Sequence, residues 1–570
     1  MSRQYLSFSI AQLEAEFHRA QDDGDLAALN LLLQELGFRT TSRAGTLRDS
    51  VQQFLGTSEA PRAQRPRAKP SNAPPQNGGR EKRETNSERT APRHRPTAEQ
   101  EEAVEHFKNG HSLRINAYAG TGKTSTLEML AHSTAKHGQY IAFNKAIVVD
   151  AQNRFPRTVN CSTVHGLAFK ATPSKYKNNS DKMTKRMNAN QLAQVLKFKP
   201  WRIDKNHALT PRSQGYLVLE TVRRFAHSAE TSPKPEHVPR HGSLLAASEP
   251  VLKAVTEFAL HAASHVWMRM TDERDEMPLG HDGYLKLWAL SEPTIGADYI
   301  LLDEAQDTNP VVLDVLRKQP SQMIYVGDKY QQIYEWRGAV NAMEKIATDK
   351  STFLTQSFRF GPQIAEAASN ILTRLNERRA VTGNPKVSSR IASTAPQTIL
   401  ARTNASTISA IIECLDAGKS PHLVGGTDEL MEMLRGVQDL KEGRQSTVPD
   451  FFGFSKWSEV VEFAKSGEGD HLQTFVNLVE KRGERQLMWA LNRTVDAVES
   501  DIVISTAHKA KGQEWKSVRL MDDFMRSQPK NSGTTNKAGY DPAELRLLYV
   551  AITRAKEVLD VPASVLSLMR

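Results

Sequence analysis

The chain has 570 residues, 39% hydrophobic and 25% charged, enough for three or four compact units at about 150 residues each. No run approaches the roughly 18 apolar residues of a membrane helix, and glutamates interrupt the N-terminal stretch where a signal peptide would be apolar. The two cysteines, Cys161 and Cys414, exclude a disulfide framework and a four-cysteine zinc site, so an intracellular multidomain protein is expected.

The net charge of +10 is mostly local. Residues 61–95 hold ten Arg and Lys against Glu81, Glu84 and Glu88, so the remainder of the chain is close to balanced. That stretch could hold phosphate backbones non-specifically, and it reads equally well as a solvated linker.

In chain order, Ile10, Leu13 and Phe17 stand at helical spacing, as do Leu26, Leu29, Leu33 and Leu36 up to a stop at Gly37. Leu47, Val51 and Phe54 suggest a third helix, giving a small all-α module over 1–57 that could dock on a protein partner. Residues 58–95, rich in Pro, Arg, Ser and Asn, are expected to be a disordered basic tether. From there apolar runs alternate with helical patterns, the habit of an α/β protein with parallel sheets.

Leu113–Ala117 reads as a buried strand, followed by Tyr118-Ala119-Gly120-Thr121-Gly122-Lys123-Thr124 and a helical stretch from Ser125. This is a phosphate-binding loop with Ala117 in place of the first glycine. Backbone N–H groups wrap phosphates, Lys123 reaches the β/γ-phosphates and Thr124 offers a hydroxyl to Mg²⁺, all at a helix N-terminus. Such a loop needs a carboxylate on a neighbouring strand. Tyr299-Ile-Leu-Leu302 ends in Asp303-Glu304, with Asp303 suited to the metal and Glu304 to the attacking water. About 180 residues separate the two signals, so a large insertion lies between adjacent strands. A third apolar run, Ile324-Tyr-Val-Gly-Asp328, leads to Gln331, Tyr334, Trp336 and Arg337, where aromatics beside an arginine suit stacking on a single strand. A further basic segment, Lys170 to Lys205 with Tyr176 and Trp201, could line a duplex junction or be a solvated face.

Together these motifs resemble the UvrD/Rep/PcrA group of superfamily 1A DNA helicases, and look most like the helicase portion of the F-box DNA helicases. The resemblance covers about 96–565. Pro96-Thr-Ala-Glu-Gln100 is similar to the family's Q motif, which implies that Gln100 reads adenine. Phe143-Asn144 and Thr163-Val-His165 are similar to motifs Ia and Ib, expected on the DNA. Ser357-Phe358-Arg359 is similar to motif IV, with Phe358 on adenine and Arg359 on the γ-phosphate. The stretch Ser505–Trp515 is similar to motif V, implying DNA contact at His508 and nucleotide contact at Glu514. Glu544–Ala555 is similar to motif VI, with Arg554 as a second arginine on the γ-phosphate. Two positions depart from the family pattern: Ser357 stands where asparagine is usual, and Ser125, also beside the nucleotide, where many relatives carry arginine. No F-box-like pattern is present near the N-terminus.

The resemblance implies two RecA-like parallel-sheet domains of the P-loop NTPase class, with helical insertions. The expected divisions are 96–165 with 290–350 (domain 1A), 166–289 (insertion 1B), 351–427 with 499–565 (domain 2A) and 428–498 (a short insertion 2B). ATP and Mg²⁺ are the implied cofactors, with Gln331 sensing the γ-phosphate. Single-stranded and tailed duplex DNA are the implied partners, 3′→5′ the implied direction, and the cytoplasm, or the nucleoid of a bacterium, the implied location. A translocase that strips proteins from single strands and a nucleotide-switched adaptor remain open; intact Asp303, Glu304, Arg359 and Arg554 weigh against the adaptor.

Overall fold

The computed structural model describes residues 10–22, 26–37, 47–52, 54, 95–205, 207–240, 242–333, 341–446, 448–465, 469–525 and 540–569. They fall into two compact units, Met1–Ala91 and Pro92–Arg570. Most of the expected basic tether, and Tyr334, Trp336 and Arg337, lie outside the described residues.

In the first unit, helices Ile10–Asp22 and Leu26–Gly37 and the helical residues 47–52 follow the apolar spacing. Leu13, Phe17, Leu29, Leu32, Leu36, Leu47 and Val51 close a common core, with Phe54 edge-on to Phe17 at 6.4 Å.

The second unit holds two six-stranded sheets, every pairing in them parallel. The first uses β1 (Leu113–Ala117), β2 (Gly138–Ala142) and β3 (Val159–Thr163). A largely helical insertion with a short hairpin, β4 (Trp201–Arg202) and β5 (Ala208–Leu209), follows β3. The sheet resumes with β6 (Tyr299–Leu302), β7 (Gln322–Gly327) and β8 (Lys350–Leu354), in the order β3-β2-β6-β7-β1-β8. All four residues of β6 are buried, as a strand covered on both faces requires.

Because β8 pairs with β1 along its whole length, Leu354 opposite Ala117, the first lobe runs about four residues past the expected division at 350. Tyr176 and Trp201, considered for a duplex junction, serve the insertion's interior. The Tyr176 hydroxyl donates to the Thr271 carbonyl at 2.7 Å, and Trp201 packs on Phe258 with ring centroids 5.2 Å apart.

The second sheet consists of β9 (Arg390–Ile391), β10 (Thr398–Ala401), β11 (Pro421–Leu423), β12 (Ile502–Thr506), β13 (Trp515–Leu520) and β14 (Ala555–Asp560), in the order β11-β12-β10-β13-β14-β9. Four helices, Asp428–Lys441, Trp457–Lys465, Asp470–Arg482 and Glu484–Leu491, fill the interval between β11 and β12. Their buried faces join Ile399, Ile502 and Ile504 of the sheet in one core, so this insertion shares the lobe's interior. A further core crosses between lobes: Tyr118, Ala119, Tyr330 and Ile333 pack with Phe360, Leu545, Leu548 and Tyr549.

Candidate active site at the seam between the lobes

Parallel strands gather their carboxyl ends on one edge, and ligands bind in the crevice beyond them. Here β1 leads into the phosphate loop, β6 into Asp303-Glu304 and β7 into Asp328 and Gln331, while the chain leaving β8 passes out of the first lobe to Phe358-Arg359. The second lobe answers with the residues just before β13 and β14: Trp515 pairs with Ala555, which sets Glu514 beside Arg554.

Gly120 and Gly122 have φ of +74° and +80°, and Gly122 precedes helix Lys123–His132 with no side-chain cap on its N-terminus. A Cβ at Gly120 would lie 2.6 Å from both Arg359 Cβ and Ser357 Oγ, so the second half of the site presses directly on the loop. The Phe358 N–H donates to the Gly120 carbonyl at 2.8 Å.

Lys123 Nζ lies 3.2 Å from Glu304 Oε1. Burial works to lower the lysine, but the Glu304, Asp328 and Asp303 carboxylates outweigh it and raise its pKa. For Glu304 burial works upward, and Lys123 and Lys511 bring its carboxyl down to about 2. Asp303 is raised, by burial first and by the neighbouring Glu304 charge. Its Oδ2 accepts from Thr124 Oγ1 at 2.8 Å and from the Tyr140 hydroxyl at 2.9 Å. This carboxylate–hydroxyl pair is the hard-oxygen set that suits Mg²⁺ held partly by phosphates and water. Among the described residues no cluster of three or more His, Cys, Asp or Glu side chains could cage a metal by itself.

Lys511 and Arg554 of the second lobe reach across the seam to the first. Lys511 pairs with Asp307 and donates to the Gln331 carbonyl at 2.6 Å. Burial pushes the Asp307 carboxyl up to about 6. Arg359 donates to Glu514 at 2.6 Å and to the Thr553 carbonyl at 3.1 Å. Arg554, 1% exposed, donates to the Val550 and Gln513 carbonyls, to Thr553 Oγ1 and, at 3.5 Å, to Gln331 Oε1. Burial, then repulsion from Arg359, lowers it to about 9. Arg554 thus meets Gln331 of the first lobe, whereas the Arg359 guanidinium is held by Glu514 and Thr553 of its own lobe, with its Cβ beside Gly120 of the phosphate loop.

Other candidates carry structural duties as well. The Gln100 amide oxygen accepts from Thr97 N–H at 3.0 Å in a capping box, while its nitrogen donates to Thr126 Oγ1 at 3.1 Å. The same nitrogen lies 3.4 Å from where a Gly122 Cβ would stand. Ser125 Oγ accepts from Arg154 Nη2 at 3.2 Å, so a guanidinium from another helix approaches the position where many relatives carry arginine.

Among the candidate DNA contacts, Phe143 is 65% exposed at the end of β2. The Asn144 and Thr163 side chains accept from Ile147 N–H and Gly166 N–H, each at 3.0 Å, and so cap helices. Ala142 pairs with Thr163, which brings the two loops side by side. His165 Nε2 is 3.9 Å from Asp282 Oδ1. His508 stands just beyond β12, on the second lobe. Sequence reasoning assigned nothing to Tyr140, Asp307, Asp328, Lys511 or Tyr549. Asp307, Asp328, Lys511 and Tyr549 stood inside recognised motifs, but their partners are remote in sequence.

Comparison with known proteins agrees with this architecture. The UvrD/REP helicase N-terminal domain profile matches residues 96–351, and the UvrD-like helicase C-terminal domain profile matches 429–564. The F-box DNA helicase 1 of Gallus gallus is 30% identical over 504 residues, covering 81% of this chain and 48% of that protein. The F-box DNA helicase protein 1 of Schizosaccharomyces pombe is 32% identical over 508 residues, covering 81% and 57%. The ATP-dependent DNA helicase PcrA of Leuconostoc citreum is 32% identical over 89 residues, covering 14% and 12%. The chain spans about half the length of the two F-box relatives. With both halves of the helicase unit matched in order around a two-sheet seam, the chain belongs to the UvrD/Rep helicase family.

Proposed function

We propose that the protein is a DNA-stimulated ATPase that works as a DNA helicase or translocase, moving 3′→5′ on single-stranded DNA in repair, recombination or replication. The observation that carries this reading is the split seam. Lys123, Thr124, Asp303 and Glu304 come from one lobe and Arg359 and Arg554 from the other, joined by Arg554–Gln331 and Lys511–Asp307.

Lys123, the loop amides and Thr124 would hold the phosphates, with Phe358 and Gln100 near the base. Mg²⁺, when bound by Thr124 and Asp303, supplies charge neutralisation on the phosphate oxygens. Lys123 would leave Glu304 for the phosphates, freeing that carboxylate to orient water and take its proton. The guanidiniums of Arg359 and Arg554 would meet charge developing on the γ-phosphate, as an arginine finger in cis worth about 10³–10⁵ in rate in related chemistry. Trp336 and Arg337 follow Gln331 by a few residues in sequence, so loss of the γ-phosphate would alter the grip on DNA. Phe143, Asn144, Thr163, His165 and His508 are the proposed remaining strand contacts, and the module at 1–57 a proposed docking element for a protein partner. The work is assigned to intracellular DNA; no helix among the described residues is long and apolar enough to cross a membrane.

The test is the ATPase rate with and without single-stranded DNA for the wild type and Lys123→Ala. Strong stimulation that the substitution abolishes is expected; rapid DNA-independent turnover, or none, refutes a motor. Displacement assays on 3′-tailed and 5′-tailed duplexes then read direction. Protein release from single strands without duplex separation would assign the stripping activity instead.

A further inference from the structure

One tyrosine of helix Pro542–Ile552 joins three motifs that the sequence holds far apart. Tyr549 is fully buried. Its hydroxyl accepts from the Ala119 N–H of the phosphate loop at 3.0 Å and donates to Asp328 Oδ2 at 3.0 Å. An amide can only donate and an ionised carboxylate can only accept, so the phenolic proton has a single destination. The same carboxylate oxygen accepts from Gln331 Nε2 at 2.7 Å, and Asp328 Oδ1 accepts from the Tyr330 N–H at 3.0 Å. The NH₂ end of Gln331 is therefore turned to Asp328, and its carbonyl oxygen faces Arg554 Nη2 at 3.5 Å. Arg554 follows the helix that carries Tyr549, so the bonds close a ring: Tyr549, Asp328, Gln331, Arg554.

We propose that Tyr549 is a positioning residue for hydrolysis: held by the Ala119 amide, it presents its proton to Asp328 and thereby locks the Gln331 amide with its carbonyl oxygen on Arg554. This rests on the ATPase reading above and adds to it a means by which closure of the seam is linked to the chemistry. The ring exists only when the second lobe is seated on the first, because Tyr549 and Arg554 belong to one lobe and Ala119, Asp328 and Gln331 to the other. With the phenolic oxygen removed, the Ala119 N–H loses its acceptor and Asp328 one of its donors, in a site that excludes water. The Gln331 amide is then free to turn over. The aromatic ring, edge-on to Tyr330 at 6.5 Å, keeps its packing when only the hydroxyl is deleted.

The experiment uses the full chain and measures single-strand-stimulated ATP hydrolysis for Tyr549→Phe, Gln331→Ala and the double variant. Binding of a fluorescent ATP analogue is measured in parallel. Tyr549→Phe is expected to lower kcat roughly tenfold or more, with KM for ATP within about threefold of wild type. The double variant should be no slower than Gln331→Ala alone, because both substitutions remove the same oriented amide. An unchanged kcat, a loss confined to KM, additive effects of the two substitutions, or loss of analogue binding would each overturn the proposal. A wild-type chain lacking DNA-stimulated hydrolysis removable by Lys123→Ala would instead sink the ATPase reading itself, so the two failures are told apart.

Discussion

Glu304 takes up φ of +51°, a left-handed conformation that costs a residue with a side chain on the order of 1–3 kcal/mol. It is held there by its own N–H donating to Asp303 Oδ1 at 2.9 Å, by Gln306 donating to its carboxylate at 2.5 Å and by Lys123. The strain sets two successive carboxylates to different tasks, one toward Thr124 and one toward Lys123. Glu304→Gln should keep nucleotide binding while kcat falls by about 10²–10⁴-fold, the usual worth of a positioned base. Single-turnover hydrolysis at wild-type rate would remove it from the chemistry. A second buried charge, Lys286, sits on helix Gly280–Leu290. Its ammonium donates to the Ser228 and Glu230 carbonyls at 2.7 and 2.6 Å over the Phe225 ring, and burial lowers it from 10.5 to about 8. Between those two values the unfolded chain binds more protons than the folded one, so stability gains as pH rises through this window. Lys286→Met should abolish that gain, read as urea midpoints at several pH values between 8 and 10; parallel pH slopes in the two proteins would contradict it.

At the scale of the element, the phosphate loop is shaped as much by the opposing lobe as by its own turn. A methyl group at Gly120 would meet Arg359 and Ser357 at 2.6 Å, on a backbone already in the left-handed region. Gly120→Ala should therefore hold the arginine off the loop and lower kcat by about 10²-fold, the scale of a misplaced catalytic group. ATPase assays at saturating nucleotide check this, and a wild-type kcat would mean that the seam need not close as described. Strand–glycine loop–helix was legible at 113–132 because its parts are contiguous and each residue type answers a local demand. The same holds for the acidic end of β6. The capping box at Thr97-Ala-Glu-Gln100 was legible in principle from its spacing, yet family likeness drew attention to adenine instead.

For the molecule as a whole, the helices between β11 and β12 are not a separate body. Phe451, 1% exposed, lies in the same core as Ile399, Ile502 and Ile504. Phe451→Ala should cost about 3–5 kcal/mol and lower the unfolding midpoint of insertion and sheet together. Differential hydrogen exchange reports both segments, and loss of protection in the insertion alone would argue for an independent subdomain. The expected division after residue 350 falls inside β8, Lys350–Leu354, and only its pairing with β1 assigns that strand to the first sheet.

Sequence alone determined the chemistry each half can offer: a phosphate cradle with a lysine, a strand-end carboxylate pair, and arginines in recognisable company. These are short-range patterns, set by backbone geometry and charge within a few residues. Tertiary structure decided which halves meet. The Ala119–Tyr549 bond spans 430 residues of chain, Tyr549–Asp328 221, and Lys511–Asp307 204. No local periodicity encodes such pairings, because strand order and crossover, rather than neighbouring residues, bring the partners within hydrogen-bond reach.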